Sequence, residues 1–361
     1  MNYEQKNPLP LPASGPTESV SSAFDSVFDW EYALDRDALL ALYEKGKDQT
    51  WNASELDWSI EVDLEKMAQE RIDSGSYITM NQLLDPPRPL EPRESVEMNL
   101  NMTSWMISQF LHGEQGALLA TAKIVMAAPF EEAKWYGANQ VADEARHVEV
   151  YHRYLTEKLG RSFEVNPQLQ TLLDDILSDS RWDMTYLGMQ IMVEGLALAA
   201  FGMMRVELPD EPLIQDITTR IMHDESRHVA FGVLSLEDLY RNQLTSSELR
   251  EREDFVIEAT HLMRDRLLME QVYERMDWDV DVWVDWASRT PFMLAFRKML
   301  FSKIVPNLKR LGLLTPRVRE AYDKLGILKY ESMKDSTQDP EIEIPADLIE
   351  LVETLNRGSA A

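Results

Sequence analysis

Apolar residues recur at steps of three and four positions along almost all of the chain after residue 93, which is the spacing of one face of an α-helix. Stretches with the strict alternation of a half-buried strand are hard to find, and glycine is scarce, with 14 residues. This pattern predicts an all-α protein. Its main helices are expected at about 95–127, 130–158, 181–207 and 211–243.

Further helices are predicted on both sides of these four and between them. Asn166 and Pro167 fit the cap and first turn of a short helix between the second and third main helices. Thr245 and Glu248 fit a capping box that opens a fifth long helix reaching about residue 275. The remaining helices are expected at 24–46, 61–74, 278–311 and 315–330, with a proline-rich link at 85–94.

The chain of 361 residues is long enough to bury a large core, and it is expected to divide into five parts. They are a leader at 1–22 that is predicted to be disordered, N-terminal helices and the proline-rich link at 23–92, a four-helix core at 93–245, additional helices packed on the core at 246–331, and a charged tail with a short helix at 332–361.

Each of the four main helices carries chargeable residues on the face that is otherwise apolar. In the first helix, for example, Glu114 lies between Phe110 and Ala117 at helical spacing. A buried carboxylate without a partner is costly, so such residues need a compensating charge. The six chargeable residues on these apolar faces are Glu114, Glu144, His147, Glu194, Glu225 and His228.

These residues belong to an internal repeat. The segment VADEARHV at 141–148 matches MHDESRHV at 222–229, and a single glutamate precedes each segment by about thirty residues. The repeat indicates two copies of one helical hairpin, with a Glu on the first helix and a Glu-x-x-His motif on the second. The small residues Gly116 and Gly195 beside the single glutamates are expected to let helices approach closely there.

A pair of divalent cations would balance the charge of four buried carboxylates. A Glu from each of two helices and a Glu-x-x-His motif from each of the other two form the ligand set of dinuclear iron or manganese carboxylate proteins. The chain has no cysteine, which excludes disulfides, iron–sulfur ligation and a thiol nucleophile. Nitrogen and oxygen ligands alone do not choose between iron and manganese.

The composition limits the classes of partner that the chain is expected to bind. The net charge is −27, so nucleic acid and anionic membrane surfaces are expected to be repelled. No stretch approaches the roughly 18 consecutive apolar residues of a membrane helix, and the N-terminus has no basic region followed by an apolar run. No membrane or nucleic-acid partner is expected, and the expected location is the cytoplasm.

At the DEARH and DESRH motifs the chain resembles the ferritin-like di-iron carboxylate superfamily, in particular its branch of ribonucleotide reductase small subunits and bacterial multicomponent monooxygenase hydroxylases. The resemblance covers about 95–245. It implies a ferritin-like four-helix bundle with additional flanking helices, in which the six residues bind two Fe ions or a Mn/Fe pair. It also implies that Asp143 and Asp224 hydrogen-bond the ligand imidazole on the opposing helix, with Arg146 and Arg227 paired to these aspartates or to the glutamates.

The activity that this resemblance implies is that of an O2-activating non-haem di-iron oxidoreductase. Such a monooxygenase or oxidase would hydroxylate, desaturate or N-oxygenate a small apolar or aromatic molecule, with O2 as co-substrate. Ala117, Ile191 and Leu198, one turn from the ligands, are expected to line the substrate pocket. Electrons are expected from a ferredoxin or a flavin reductase, and homodimer formation stays open.

Two other interpretations stay open. Tyr151 lies four residues after His147, at the position of the radical tyrosine of ribonucleotide reductase small subunits. The alternative enzyme is therefore a radical-generating protein or a Mn/Fe ligand oxidase, with Tyr151 as its catalytic residue. The other interpretation is a non-catalytic, metal-binding ferritin-like protein. Substrates of individual subgroups do not carry over, because Gly116, Leu198 and Ile221 replace residues that particular subgroups keep.

Overall fold

The computed structural model describes residues 18–74 and 86–338, and the regular structure in these ranges is helical throughout. The α-helices in chain order are α1 Asp37–Asp48, α2 Leu64–Ser74, α3 Pro92–Ala127, α4 Glu131–Arg153, α5 Pro167–Ser178, α6 Trp182–Tyr186, α7 Glu194–Glu207, α8 Pro212–Asp238, α9 Ser246–Asp265, α10 Glu270–Arg275, α11 Val280–Arg289, α12 Pro291–Met299, α13 Ile304–Leu311 and α14 Pro316–Leu325.

A four-helix bundle forms the centre of the molecule. α3 packs against α4, α7 against α8, and α4 against α8. α6 and α7 are parts of one continuous helix, Trp182–Glu207, joined by the π-helical segment Leu187–Val193. π-Helical turns shift the side chains that follow and often accompany functional sites, and this one ends directly before Glu194. The all-α class and the four main helices are confirmed.

Local sequence signals set the ends of these helices. Pro92 and Pro212 occupy first turns, where the missing N–H costs no helical hydrogen bond. The Asn166 side chain accepts hydrogen bonds from the backbone at the start of α5. Thr245 and Glu248 form the predicted capping box of α9. The predicted starts of α5, α8 and α9 are therefore confirmed.

The N-terminal part is less helical than predicted. The helix expected at 24–46 begins only at Asp37, and the preceding residues cross the bundle as a non-helical segment. Glu132, buried at the start of α4, anchors this segment by accepting hydrogen bonds from the backbone N–H groups of Asp35 at 2.7 Å and Arg36 at 2.9 Å. These tertiary hydrogen bonds replace those that a longer helix would make.

The C-terminal helices are also shorter than predicted. The fifth long helix ends at Asp265 instead of about 275, because Met269 adopts a left-handed φ of 57° that a right-handed helix cannot include. The stretch 278–311, which was expected to be filled by helices, contains three of them. Thr290 caps α12 with Pro291 in its first turn, and a turn at 300–303 precedes α13.

The small residues of the repeat contact flanking helices. A Cβ on Gly116 would lie 2.4 Å from Leu173 Cδ2 of α5, and one on Gly195 would lie 3.2 Å from Ile304 Cγ1 of α13. Close approach occurs as predicted, but with flanking helices in place of core helices. Core helices also approach closely, at Gly232 of α8, where a Cβ would lie 2.6 Å from Gln190 Cβ, and at Gly137 of α4, where it would lie 3.1 Å from Val125 Cγ2.

Some predictions fall outside the described residues. The predicted leader at 1–22 lies outside them except for 18–22, and the short helix expected in the charged tail lies outside them entirely. The division of the chain at residues 92, 245 and 331 stays a prediction.

The helix Trp182–Glu207 is, within the described residues, long and apolar enough to span a membrane by length and composition. However, 94% of its most apolar 18-residue window is buried inside the protein. Core helices of soluble proteins pass the same test, so this helix is weak evidence for a membrane span.

Candidate metal centre

The six chargeable residues of the repeat meet in the middle of the bundle, and all of their side chains are buried. They are Glu114 of α3, Glu144 and His147 of α4, Glu194 of α7, and Glu225 and His228 of α8. Two sets of their donor atoms each lie within 4.8 Å of one another. The first set, here the His147 group, is Glu114, Glu144, His147 and Glu225; the second, the His228 group, is Glu144, Glu194 and His228.

Both imidazoles direct Nδ1 toward the carboxylates. His147 Nδ1 lies 3.2 Å from Glu114 Oε2, 3.4 Å from Glu144 Oε2 and 3.2 Å from Glu225 Oε1. His228 Nδ1 lies 3.1 Å from Glu144 Oε1 and 3.3 Å from Glu225 Oε1. Glu144 and Glu225 therefore reach both imidazoles, whereas Glu114 accompanies His147 alone.

The opposite ring nitrogens meet aspartates on the opposing helix. His147 Nε2 lies 3.1 Å from Asp224 Oδ2, and His228 Nε2 lies 3.3 Å from Asp143 Oδ2. A hydrogen donated from Nε2 to the aspartate leaves the Nδ1 lone pair free to bind a cation. The structure thus places both aspartates where the resemblance implies them, and their support of metal ligands stays a prediction.

Arg146 and Arg227 complete a ring of alternating charges with these aspartates. Arg146 forms an ion pair with Asp143 and lies 3.7 Å from Asp224 Oδ2. Arg227 pairs with Asp224 and lies 3.8 Å from Asp143 Oδ2. Burial alone would raise the pKa of Asp224, but its hydrogen bond to His147 and the nearby positive charges hold that pKa well below its usual value.

Two residues near the end of α1 also join this ring, and no sequence pattern predicted them. The Trp51 indole donates from Nε1 to Asp224 Oδ2 at 2.7 Å, and Arg227 donates to Gln49 Oε1 at 2.8 Å. The Arg146 guanidinium lies 5.0 Å from the centre of the Trp51 ring. Because they lie outside the repeat, no local pattern distinguishes these two residues from ordinary packing residues.

Gln140, one turn before Glu144, is a further site residue that the sequence analysis placed only on an apolar face. Its buried side-chain nitrogen donates to Glu144 Oε1 at 2.8 Å and to Glu194 Oε1 at 3.0 Å. The amide nitrogen must face these atoms, because the amide oxygen would be repelled by two carboxylate oxygens. Gln140 therefore joins two glutamates of the His228 group.

Burial and crowding strongly shift the titration of the cluster. Burial raises the pKa of Glu114 and Glu194 well above ordinary carboxylate values, and the charge of Glu225 adds to both shifts. Burial opposes protonation of His147 and His228, but neighbouring carboxylates outweigh it, so both histidine pKa values are well above normal. Without cations, the cluster retains protons to limit its negative charge.

The donor atoms fit a pair of cations. Glu144 Oε2, Glu194 Oε2, both Glu225 carboxylate oxygens and His228 Nδ1 are buried without a hydrogen-bond partner. Each buried polar atom left unpaired costs roughly 1–3 kcal/mol. Two divalent cations would bind these atoms and neutralise the four carboxylates. Metal binding by all six residues stays a prediction that this geometry supports.

The two ends of the bundle differ around the cluster. At one end, the ring centres of Phe110 and Phe201 lie 4.6 Å apart, and the ring centre of Tyr151 lies 5.7 Å from that of Phe110. At the other end, Gln190 donates a long hydrogen bond of 3.4 Å to Thr121, and the ring centres of Tyr136 and Phe231 lie 4.4 Å apart. Helix order places Leu198 toward the Phe110 end and both Ala117 and Ile191 toward the Gln190 end. All three are buried, and their role as pocket residues stays a prediction.

Comparison with solved structures identifies the fold. Dimanganese(II)-NrdF of Streptococcus sanguinis is similar to the chain with a TM-score of 0.50 and 13% identity, covering 82% of this chain and 99% of that chain. A variant of R2-like ligand-binding oxidase with an anaerobically reconstituted Mn/Fe cofactor is similar with a TM-score of 0.45 and 17% identity. The match covers 75% of this chain and 92% of that chain. No protein-family model and no curated protein matches the chain.

NrdF is a ribonucleotide reductase small subunit and a ferritin-like helical-bundle protein. The chain has this ferritin-like fold, with additional helices around the four-helix core. At 13% identity the likeness establishes the fold alone. The chemistry of the centre has to be argued from the residues of this chain.

Proposed function

We propose that the chain is an O2-activating non-haem di-iron oxidoreductase, a monooxygenase or oxidase acting on a small apolar or aromatic molecule in the cytoplasm. The observation that carries the proposal is the pair of adjoining donor groups buried in the bundle. Four carboxylates and two imidazole Nδ1 atoms are the donors expected for two iron ions, and a Mn/Fe pair would use the same donors.

When bound, a pair of redox-active ions would supply electrons to O2. The residues of the chain do the rest. Asp143 and Asp224 hold the imidazoles with Nδ1 facing inward. The aromatic rings of Phe110 and Phe201 exclude water from one end of the cluster. Leu198 at this end, and Ala117 and Ile191 at the other, offer apolar surface for an organic substrate.

The proposed reaction needs electrons from a source other than the substrate. In hydroxylation, one oxygen atom of O2 enters a C–H bond and the other becomes water, which consumes two electrons and two protons from outside the substrate. An external reductant must deliver these electrons. We therefore propose a ferredoxin or a flavin reductase as the partner, since the chain has no cysteine with which to hold its own iron–sulfur cluster.

A radical-generating protein is the second candidate, and one hydrogen-bonded path favours it. Trp51 donates to Asp224, which in turn contacts His147 Nε2, so an oxidisable indole is connected to a predicted ligand. Tyr151 is buried near Glu114, its hydroxyl has no hydrogen-bond partner, and burial raises its pKa well above normal. Burial would shield a radical on Tyr151 from solvent, whereas the raised pKa and the missing hydrogen-bond partner make loss of the phenolic proton, and therefore oxidation, harder.

Oxygen consumption tests the proposal. Protein loaded anaerobically with Fe(II) is mixed with O2 and reduced flavin reductase, with toluene or aniline as probe substrates. We expect O2 uptake and incorporation of 18O from 18O2 into product, both lost in Glu144→Ala and retained in Glu149→Ala, an exposed residue of the same helix. O2 uptake without labelled product, accompanied by a radical signal that disappears in Tyr151→Phe, would favour the second candidate.

A further inference from the structure

The two donor groups are unequal although the hairpins that carry them are copies. The His147 group brings oxygens of three glutamates to within 3.4 Å of His147 Nδ1. Two glutamates, Glu144 and Glu225, bring oxygens this close to His228 Nδ1, at 3.1 and 3.3 Å, and both of them also reach His147. A cation at the His147 group would also neutralise part of the charge on Glu144 and Glu225, which leaves less attraction for a second cation.

Gln140 contacts the cluster on the side of His228. Its hydrogen bonds go to Glu194 Oε1 and to Glu144 Oε1, the oxygen of this shared carboxylate that lies 3.1 Å from His228 Nδ1. The amide hydrogens of Gln140 hold the side chains of Glu194 and Glu144 in fixed positions next to each other. Glu114 of the other group receives no hydrogen bond from Gln140.

The repeated sequence lacks an equivalent of Gln140 in its second copy. Four residues before Glu144 is Gln140, whereas four residues before Glu225 is Ile221, which is equally buried. An aliphatic side chain at this position cannot donate a hydrogen bond to the carboxylates. The two halves of the repeat therefore differ at one matched pair of positions, Gln140 and Ile221.

We infer that the two halves of the centre bind their ions in order, the His147 group first, and that Gln140 is the positioning residue that prepares the His228 group for the second ion. The inference rests on the proposed metal centre. Gln140 holds Glu194 and Glu144 in binding position before the ion arrives, so that the ion does not have to reposition these two side chains.

A titration with Mn(II) tests the order of binding. Metal-free full-length protein is titrated with Mn(II), with bound metal measured by equilibrium dialysis and the state of the ions by electron paramagnetic resonance. We expect two steps, the first at least about tenfold tighter than the second, with an isolated Mn(II) signal at one equivalent that weakens as the second ion couples to the first.

Substitutions can assign each of the two binding steps to one of the two donor groups. Gln140→Leu should weaken the second step by at least about tenfold, the loss expected for a hydrogen bond to a charged group, and change the first step less than about twofold. Ile221→Leu, the matched control, should change neither step. His228→Ala should keep the tight ion and His147→Ala should lose it, with thermal unfolding confirming that each variant is folded.

The outcomes separate this inference from the proposed function. Two ions of equal affinity in the unmodified protein, or equal weakening of both steps in Gln140→Leu, would overturn the inference while leaving the metal centre intact. A tight ion that survives His147→Ala but not His228→Ala would reverse the order and also overturn it. Less than one ion per chain in the unmodified protein would overturn the metal centre itself, and the inference with it.

Discussion

The two hairpins bring the same ligands to the centre but surround them differently. One turn before its glutamates, the first hairpin has Phe110 and Gln140, while the second has Gln190 and Ile221. Polar and apolar neighbours have thus exchanged places between the copies. Duplication explains why there are donors for two cations, and the exchanged neighbours explain why the two positions are not equivalent.

The same comparison extends to the aspartates that support the imidazoles. Asp224 receives the buried indole of Trp51 at 2.7 Å, whereas Asp143 receives only the side-chain amide of Asn139 at 3.3 Å in the corresponding role. Trp51 reaches the site from the segment after α1, outside the repeat. Flanking elements therefore add to one half of the centre a contact that duplication did not provide.

Removal of a shared carboxylate should have the largest effect. Glu144 reaches both imidazoles, whereas Glu114 reaches only His147. We expect Glu144→Ala to lose both ions and Glu114→Ala to keep about one ion per chain. Metal analysis of the purified variants checks this, and retention of about one ion in Glu144→Ala would show that this carboxylate is not shared.

Replacing either aspartate should weaken one half of the centre. Asp224→Asn leaves His147 without its anionic partner, and Asp143→Asn does the same for His228. We expect roughly 10- to 100-fold weaker binding of one ion in each case, as for other residues that orient metal ligands. Two-step metal titrations distinguish the halves, and identical effects of the two substitutions on the same step would contradict the assignment.

The pH dependence of folding stability should differ between the metal-free and the metal-loaded protein. The raised pKa values of Glu114, Glu194, His147 and His228 give the metal-free fold a stability that is present at low pH and lost as pH rises through the folded-state values. Cations replace these protons. The stabilisation by metal should grow from pH 6.5 to 8 by on the order of 1.4 kcal/mol per pH unit for each proton displaced. Thermal unfolding with and without Mn(II) measures it, and a constant difference would contradict the expectation.

The smallest change is expected from the contact that lies outside the repeat. Trp51→Phe removes the indole donor of Asp224 and should lower the free energy of unfolding by about 1–3 kcal/mol while leaving both ions bound. Trp58→Phe is the control, because its indole also donates a hydrogen bond, to Ala53 O, but away from the centre. Denaturant titration and metal analysis of both variants test this, and loss of an ion in Trp51→Phe would give the indole a larger role.

Periodicity and repetition made the core predictable. Helical spacing is local, so the apolar faces and the six residues on them could be read from the sequence, and the structure buries all six together. Gln140 was visible on such a face, but its hydrogen bond to Glu194 depends on a second helix. Trp51 could not be foreseen, because its partner Asp224 is distant in sequence and no pattern links them.

In the flanking helices, local sequence signals predict some helix boundaries, and tertiary contacts set the others. Thr290 and Pro291 are a readable cap and first turn, and they mark a helix boundary within 278–311 that apolar spacing alone does not show. Met269 carries no such signal, since methionine is a good helix former and its left-handed backbone follows from tertiary packing. The helix expected at 24–46 failed for a similar reason, because Glu132 binds the backbone just before Asp37.

Anomalous diffraction from crystals grown with Mn(II) or Fe(II) would locate the bound ions. We expect two strong peaks between α4 and α8, one beside Nδ1 of His147 and one beside Nδ1 of His228. A single peak elsewhere, or no peak near either imidazole in metal-saturated protein, would contradict a dinuclear centre at the duplicated motif.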